Sequence, residues 1–152
     1  MKTNLRLIGG RKLESPNNID TRPTTLMVRE AIFNILKNTV ENSSWLDLFS
    51  GTGAISCEAY NHGAKKIVAI EKNKNNAKIC LKNLYSLQNI VNRKNDIDVI
   101  CKDVLIWTKP NVERSISSSN DFNKIKFDFI YLDPPYRADY HELLLNQIFN
   151  CN

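Results

Sequence analysis

Hydrophobic positions along this chain recur with two periods, and the alternation between them predicts the architecture. Between residues 25 and 40, Val28, Ala31, Ile32, Ile35 and Leu36 repeat at helical spacing behind Pro23-Thr24-Thr25, a start that can cap a helix. One face of this helix is expected on the core. Four short apolar runs then read as strands: SWLDLF (44–49), KIVAIE (66–71), IDVIC (97–101) and KFDFIYL (126–132). Between them lie helical stretches at 54–62, closed by Gly63, and at 73–87, then a helix or turn at 104–108; a last helix is expected over 138–149. Strands separated by helices indicate a parallel sheet covered on both faces, the α/β class. Two further segments stand outside this alternation. RLIGGRKLESPNNIDTRPTT predicts two short strands around a Gly9-Gly10 turn and a Pro- and Asn-rich loop, and the polar stretch 110–124 is expected to be a flexible surface loop.

At 152 residues and 42% hydrophobic content, the chain suits one domain with one core. We read residues 1–24 as a basic hairpin and loop, and 25–152 as the core. The formal charge of +5 favours a polyanionic partner only weakly, but its distribution sharpens the picture. Residues 1–40 carry seven Lys/Arg against three Asp/Glu, 7 − 3 = +4, whereas residues 101–152 give 6 − 7 = −1. A basic face is therefore expected at the N-terminus. Cys57, Cys80, Cys101 and Cys151 form no CxxC pair, and the first three fall in apolar runs, as small core residues of a reducing cytosol do; neither disulfides nor zinc are expected. No apolar run reaches the length of a membrane span, and residues 1–10 lack the apolar centre of a signal peptide, so a soluble cytoplasmic protein is expected. His62 suits a helix end, His141 has no metal-ligand partner, and Trp45 and Trp107 suit packing.

The chemistry gathers at predicted strand ends. Asp47-Leu48-Phe49-Ser50-Gly51-Thr52-Gly53 follows a strand and opens a helix, so Gly51 and Gly53 allow a tight turn that a nucleotide-like ligand can approach closely. A pyrophosphate site favours GxGxxG and avoids a neighbouring carboxylate, so the acid here points to a cationic or zwitterionic ligand. Glu71, twenty residues after Gly51, ends the next strand, where a carboxylate accepts ribose hydroxyls; Asp103, after the strand that follows, suits an adenine amino group. Asp133-Pro134-Pro135-Tyr136 ends the fourth strand at the same edge. Its prolines fix two φ angles and remove two N–H donors, leaving an acceptor array suited to an exocyclic NH2 group. Asp133 and the Pro134 carbonyl would take its hydrogens, and Tyr136 would stack on the base.

With these motifs in place, the chain resembles the class I S-adenosylmethionine-dependent methyltransferases that act on amino nitrogens of nucleobases. It is most similar to the RsmD-type family, which methylates the exocyclic N2 of a guanine in small-subunit (16S) ribosomal RNA. The similarity runs through RLIGGRKL, RPTT (22–25), VREAIFN (28–34), DLFSGTGA, the Glu71 strand end and DPPY, and the N-terminal signatures single the family out. The resemblance implies a Rossmann-like class I methyltransferase sheet with an N-terminal hairpin and helix extension, S-adenosyl-L-methionine as cofactor, and ribosomal RNA or the small ribosomal subunit as partner. On matching residues, Asp47, Phe49, Ser50, Gly51, Thr52 and Gly53 would hold the methionine moiety, Glu71 with Lys72 the ribose, and Asp103 with Val104 the adenine. Asp133, Pro134, Pro135 and Tyr136 would form the catalytic motif. Arg22, Thr24, Thr25 and Arg29 would lie near the cofactor and the entering guanosine, and Arg6, Arg11 and Lys12 would contact RNA phosphates.

The chain departs from the family's pattern in three places. Met27 stands where members often have arginine, and the connection from Gly10 to Arg11 is shorter than usual. The family's seven-stranded sheet continues past the last predicted helix with three strands, so C-terminal strands are expected to be missing and the sheet edge open; a monomer is expected unless that edge pairs with another chain. The alternatives are adenine-N6 or cytosine-N4 methylation, glutamine methylation, to which NPPY is the better match, and a non-catalytic RNA-binding remnant of the family.

Overall fold

A computed structural model describes residues 5–16, 24–91, 94–109, 126–135 and 140–149. The expected loop at 110–124, together with Arg22 and Tyr136, lies outside these described residues. In chain order the elements are α1 (Leu26–Leu36), a short 3-10 turn (Lys37–Val40), β1 (Ser44–Leu48), α2 (Ala54–Asn61), β2 (Lys66–Ile70), α3 (Lys74–Val91), β3 (Asp96–Ile100), α4 (Val104–Trp107), β4 (Phe129–Leu132) and α5 (Tyr140–Phe149). The four strands form one parallel sheet in the order β3-β2-β1-β4. The chain thus builds outward from β1 to β3 and returns to the other side of β1. The order therefore reverses between β1 and β4, and the carboxyl ends of strands at such a reversal are where open α/β sheets receive ligands.

Strand periodicity divides the side chains into two cores. Trp45, Ile67 and Ala69, with Val99, Phe129 and Tyr131, face a large cluster supplied by α1, α2, α3 and the N-terminal segment. Leu46, Leu48, Val68 and Ile70 face a smaller one built with Val104 and Trp107 of α4 and Leu144 of α5. The central strands β1 and β2 are thus covered on both faces, as their nearly unbroken apolar runs predict, whereas Ile130 of β4 is exposed. At the far end of the sheet, Asp128 pins β4 to β1: its carboxylate accepts both the N–H and the hydroxyl of Ser44, each at 2.7 Å, and its own N–H donates to the Ser44 carbonyl at 3.0 Å.

The N-terminal segment forms the expected hairpin, though in minimal form. Arg6 and Lys12 make a single antiparallel bridge, while Leu5, Leu7 and Leu13 sink into the larger core. Asn83 on α3 ties its far end, accepting the Glu14 N–H at 2.8 Å and donating to the Glu14 carbonyl at 3.0 Å.

Two expectations need correction. On α1, Thr25 caps the helix by accepting the Val28 N–H, as read from the sequence, but the buried face is Arg29 and Phe33 with Ile32 and Leu36 beside them. Val28 and Ile35 are exposed, Ile35 to 80%. Helical spacing defines two possible stripes here, and the one carrying an arginine wins because Glu58 waits beneath it. Cys101, taken as a core residue from its apolar run, is exposed; β3 ends at Ile100, so Cys101 has already left the sheet. Cys57 and Cys80 are buried free thiols.

Candidate functional site

The turn after β1 is built from left-handed residues. Phe49 (φ 68°), Gly51 (φ 54°) and Gly53 (φ 81°) all have positive φ, so the extended run predicted to include Phe49 ends at Leu48. A non-glycine residue held in this region marks a conformation that its surroundings impose, and such positions gather at ligand sites. The two glycines serve different ends. A Cβ on Gly53 would come within 2.5 Å of Cys80 Sγ, so Gly53 lets α2 pack against α3. A Cβ on Gly51 would meet nothing within 4 Å, so Gly51 borders open space.

Acids lie at the end of each strand of the sheet. Asp47 is buried at 1% exposure; its Oδ2 accepts the Ser56 hydroxyl at 2.5 Å, and its Oδ1 has no hydrogen-bond partner. Burial, with smaller contributions from Asp133 and Glu71, pushes its carboxyl up to about 7 although Ser56 pulls the other way. Glu71 sits under the turn: Oε2 accepts the Gly51 N–H at 2.8 Å and Oε1 the Asn73 N–H at 2.7 Å. Its carboxylate thus holds the turn and the approach to α3 together while each oxygen keeps a second lone pair for a hydroxyl. Asp103 caps α4 by accepting the Leu105 N–H at 2.9 Å. Lys72 is exposed, and Val104, the first residue of α4, is buried.

Asp133 follows β4 and is exposed, with Pro134 buried and Pro135 exposed beside it. Its Oδ2 accepts two hydroxyls, from Thr24 and from Tyr131, each at 3.4 Å. Thr24, assigned to the substrate side, is thereby brought against the DPP segment from 109 residues away in sequence. Tyr131 was missed by sequence reasoning. Its position two residues before Asp133, the spacing that puts side chains of an extended chain on one side, was the available signal.

Arg29, expected near the cofactor and the entering guanosine, is a buried residue. It is 2% exposed, ion-paired through Nε to the buried Glu58 carboxylate at 3.4 Å, and donates to the Thr24 carbonyl at 2.6 Å and to the Arg6 carbonyl. A guanidinium so enclosed is not offered to a base; it fixes Thr24 and the hairpin relative to α2. Glu58 also accepts the Ile8 N–H at 2.8 Å, and burial holds its carboxyl above the ordinary range despite these partners. Arg6, Arg11 and Lys12 are exposed on the hairpin, where Arg6 donates to the Gly10 carbonyl at 2.8 Å.

A parallel sheet reversing beside β1, a glycine turn after that strand, acids at successive strand ends and DPP after β4 together define a Rossmann-like α/β fold of the methyltransferase class. The comparisons narrow this further. The family model "Conserved hypothetical protein 95" matches residues 5–151, and the chain belongs to that family. It is 30% identical over 141 residues to "Ribosomal RNA small subunit methyltransferase D" of Buchnera aphidicola subsp. Acyrthosiphon pisum, across 93% of this chain and 65% of that protein. It is likewise 30% identical over 148 residues to the protein of the same description in Haemophilus influenzae, across 94% and 67%. Among solved structures, the candidate methyltransferase yhhF of Escherichia coli superposes with a TM-score of 0.73 at 27% identity, covering 96% of this chain and 72% of that one. The chain spans about two thirds of the length of these curated relatives.

Proposed function

We propose that the chain carries the cofactor site and catalytic motif of an S-adenosylmethionine-dependent enzyme that methylates the exocyclic N2 of a guanine in small-subunit ribosomal RNA. The observation that carries this reading is the buried Oδ1 of Asp47, unpartnered among the described residues, at the end of the strand that leads into a turn where Gly51 is open and Glu71 holds its N–H. A buried carboxylate oxygen without a donor is costly, and a cationic or zwitterionic ligand supplies what it lacks. The residues fit the cofactor: Asp47 and the 49–53 turn would hold its amino-acid moiety, Glu71 its ribose, and Asp103 with Val104 its adenine. When bound, S-adenosylmethionine supplies an electrophilic methyl group. The similarity to proteins described as ribosomal RNA small subunit methyltransferase D supports the RNA substrate.

In this reading Asp133 and the Pro134 carbonyl accept the two hydrogens of the guanine amino group, which turns the nitrogen lone pair out of the ring plane and toward the methyl group. Tyr136 stacks on the flipped base. Asp133 need not be a strong base, because a nitrogen that has gained a methyl group is acidic enough to lose its proton. The exposed Arg6, Arg11 and Lys12 hold RNA phosphates and set the approach. The test supplies labelled cofactor and small ribosomal subunits lacking the modification, then digests the RNA to nucleosides. Label in N2-methylguanosine supports the reading; label in another nucleoside, or in protein, overturns it.

A further inference from the structure

Asp133 is exposed, and an exposed carboxylate at the end of a strand ordinarily turns freely about its side-chain bonds. Among the described residues it is engaged through one oxygen. Thr24 Oγ1 and the Tyr131 hydroxyl both donate to Oδ2. We propose, resting on the function given above, that Tyr131 is a positioning residue: with Thr24 it clamps one oxygen of Asp133 so that the other, Oδ1, is presented to the amino group of the substrate base.

Three further observations support the clamp. Each donor is anchored by elements remote from Asp133. Tyr131 lies in β4 opposite Asp47 of β1 and packs against the larger core. Thr24 is held by the Arg29 guanidinium on its carbonyl, and Arg29 is fixed by its buried ion pair with Glu58. The two donors are therefore pre-organised on a rigid frame, as a group that must aim a carboxylate should be. Burial, chiefly, pushes the Tyr131 phenol up to about 12, so it stays a neutral donor throughout the working pH range. The packing of Tyr131 alone would be satisfied by phenylalanine; its hydroxyl joins Asp133 and Thr24 in one group.

The test separates hydroxyl from ring. Tyr131→Phe and Thr24→Val each remove one donor and keep the shape, and Thr24→Ser restores a hydroxyl. Each of the first two is expected to lower the single-turnover rate of methyl transfer about tenfold, the effect of one hydrogen bond to a charged group. Cofactor affinity and melting temperature are expected to stay at wild-type values, and Thr24→Ser to recover most of the rate. Crystals of the doubly substituted chain are expected to show the Asp133 carboxylate turned or divided between orientations. A Tyr131→Phe chain working at full rate, or an unmoved Asp133 in the double variant, would overturn the proposal while leaving the function intact. A wild-type chain that transfers no methyl group, with Asp133 still displaced in the double variant, would overturn the function and leave the clamp standing.

Discussion

The carboxylate of Glu71 accepts the backbone N–H of Gly51 at 2.8 Å, joining the end of β2 to the glycine turn after β1. A residue placed by its spacing as a ribose acceptor therefore also shapes the turn on which the methionine moiety would rest. Glu71→Ala leaves the Gly51 and Asn73 N–H groups without their acceptor, and is expected to cost about 1–3 kcal/mol of stability as well as cofactor affinity. Chemical denaturation and calorimetric titration with cofactor read the two effects. Glu71→Gln keeps an acceptor for one of the two N–H groups and should lie between.

The two glycines of the turn separate packing from binding. Gly53→Ala forces a methyl group against Cys80 and should lower the melting temperature, and a Cys80→Ala change should return part of the loss, because the clash is with that sulfur. Gly51→Ala meets no protein atom, so beyond the strain of its positive φ, about 1–2 kcal/mol, its main effect should be weaker cofactor binding. Thermal melts of the three variants, followed by cofactor titration, check both statements.

Asp47 makes stability depend on pH with an unusual sign. Its carboxyl lies near 3.8 in the unfolded chain and near 7 in the folded one, so between these values the folded state keeps a proton that the unfolded state has shed. Its contribution to stability is therefore greatest at low pH, falls as pH rises through this window, and levels off above about 7. The loss is on the order of a few kcal/mol. Asp47→Asn should flatten this part of the profile in urea melts across the same range. Binding of a cationic cofactor favours the ionised form, so titrations near pH 6 in buffers of different ionisation enthalpy should show proton release.

Arg29 and the hairpin cations should behave in opposite ways. Arg29→Met leaves Glu58 buried without its partner and is expected to cost about 3–5 kcal/mol. Lys12→Ala and Arg11→Ala change exposed side chains and should leave stability within about 0.5 kcal/mol of wild type. If these two contact phosphates, each substitution weakens RNA binding and reduces its salt dependence by about one counterion.

The strand-and-helix order was legible because each strand is an apolar run and each turn carries glycine or proline. The acids were legible because strand ends fall where those runs stop. Arg29 was placed near the cofactor and the entering guanosine by its match to the family's N-terminal motif, and no local pattern shows the buried Glu58, 29 residues away, with which it pairs. The stripe that α1 buries was hidden for the same reason, since an arginine never counts toward an apolar face. The tie between Thr24 and Asp133 spans 109 residues, and no local pattern encodes a hydrogen bond between two loops that only the assembled sheet brings together.

The account turns on Asp133 acting in transfer and not in cofactor binding. Transfer of labelled methyl to small-subunit RNA should be measured for the wild-type chain and for Asp133→Ala, with cofactor affinity determined on the same preparations. The account predicts N2-methylguanosine from the wild type, and from the variant no transfer with cofactor affinity largely kept. Normal turnover by Asp133→Ala would contradict it.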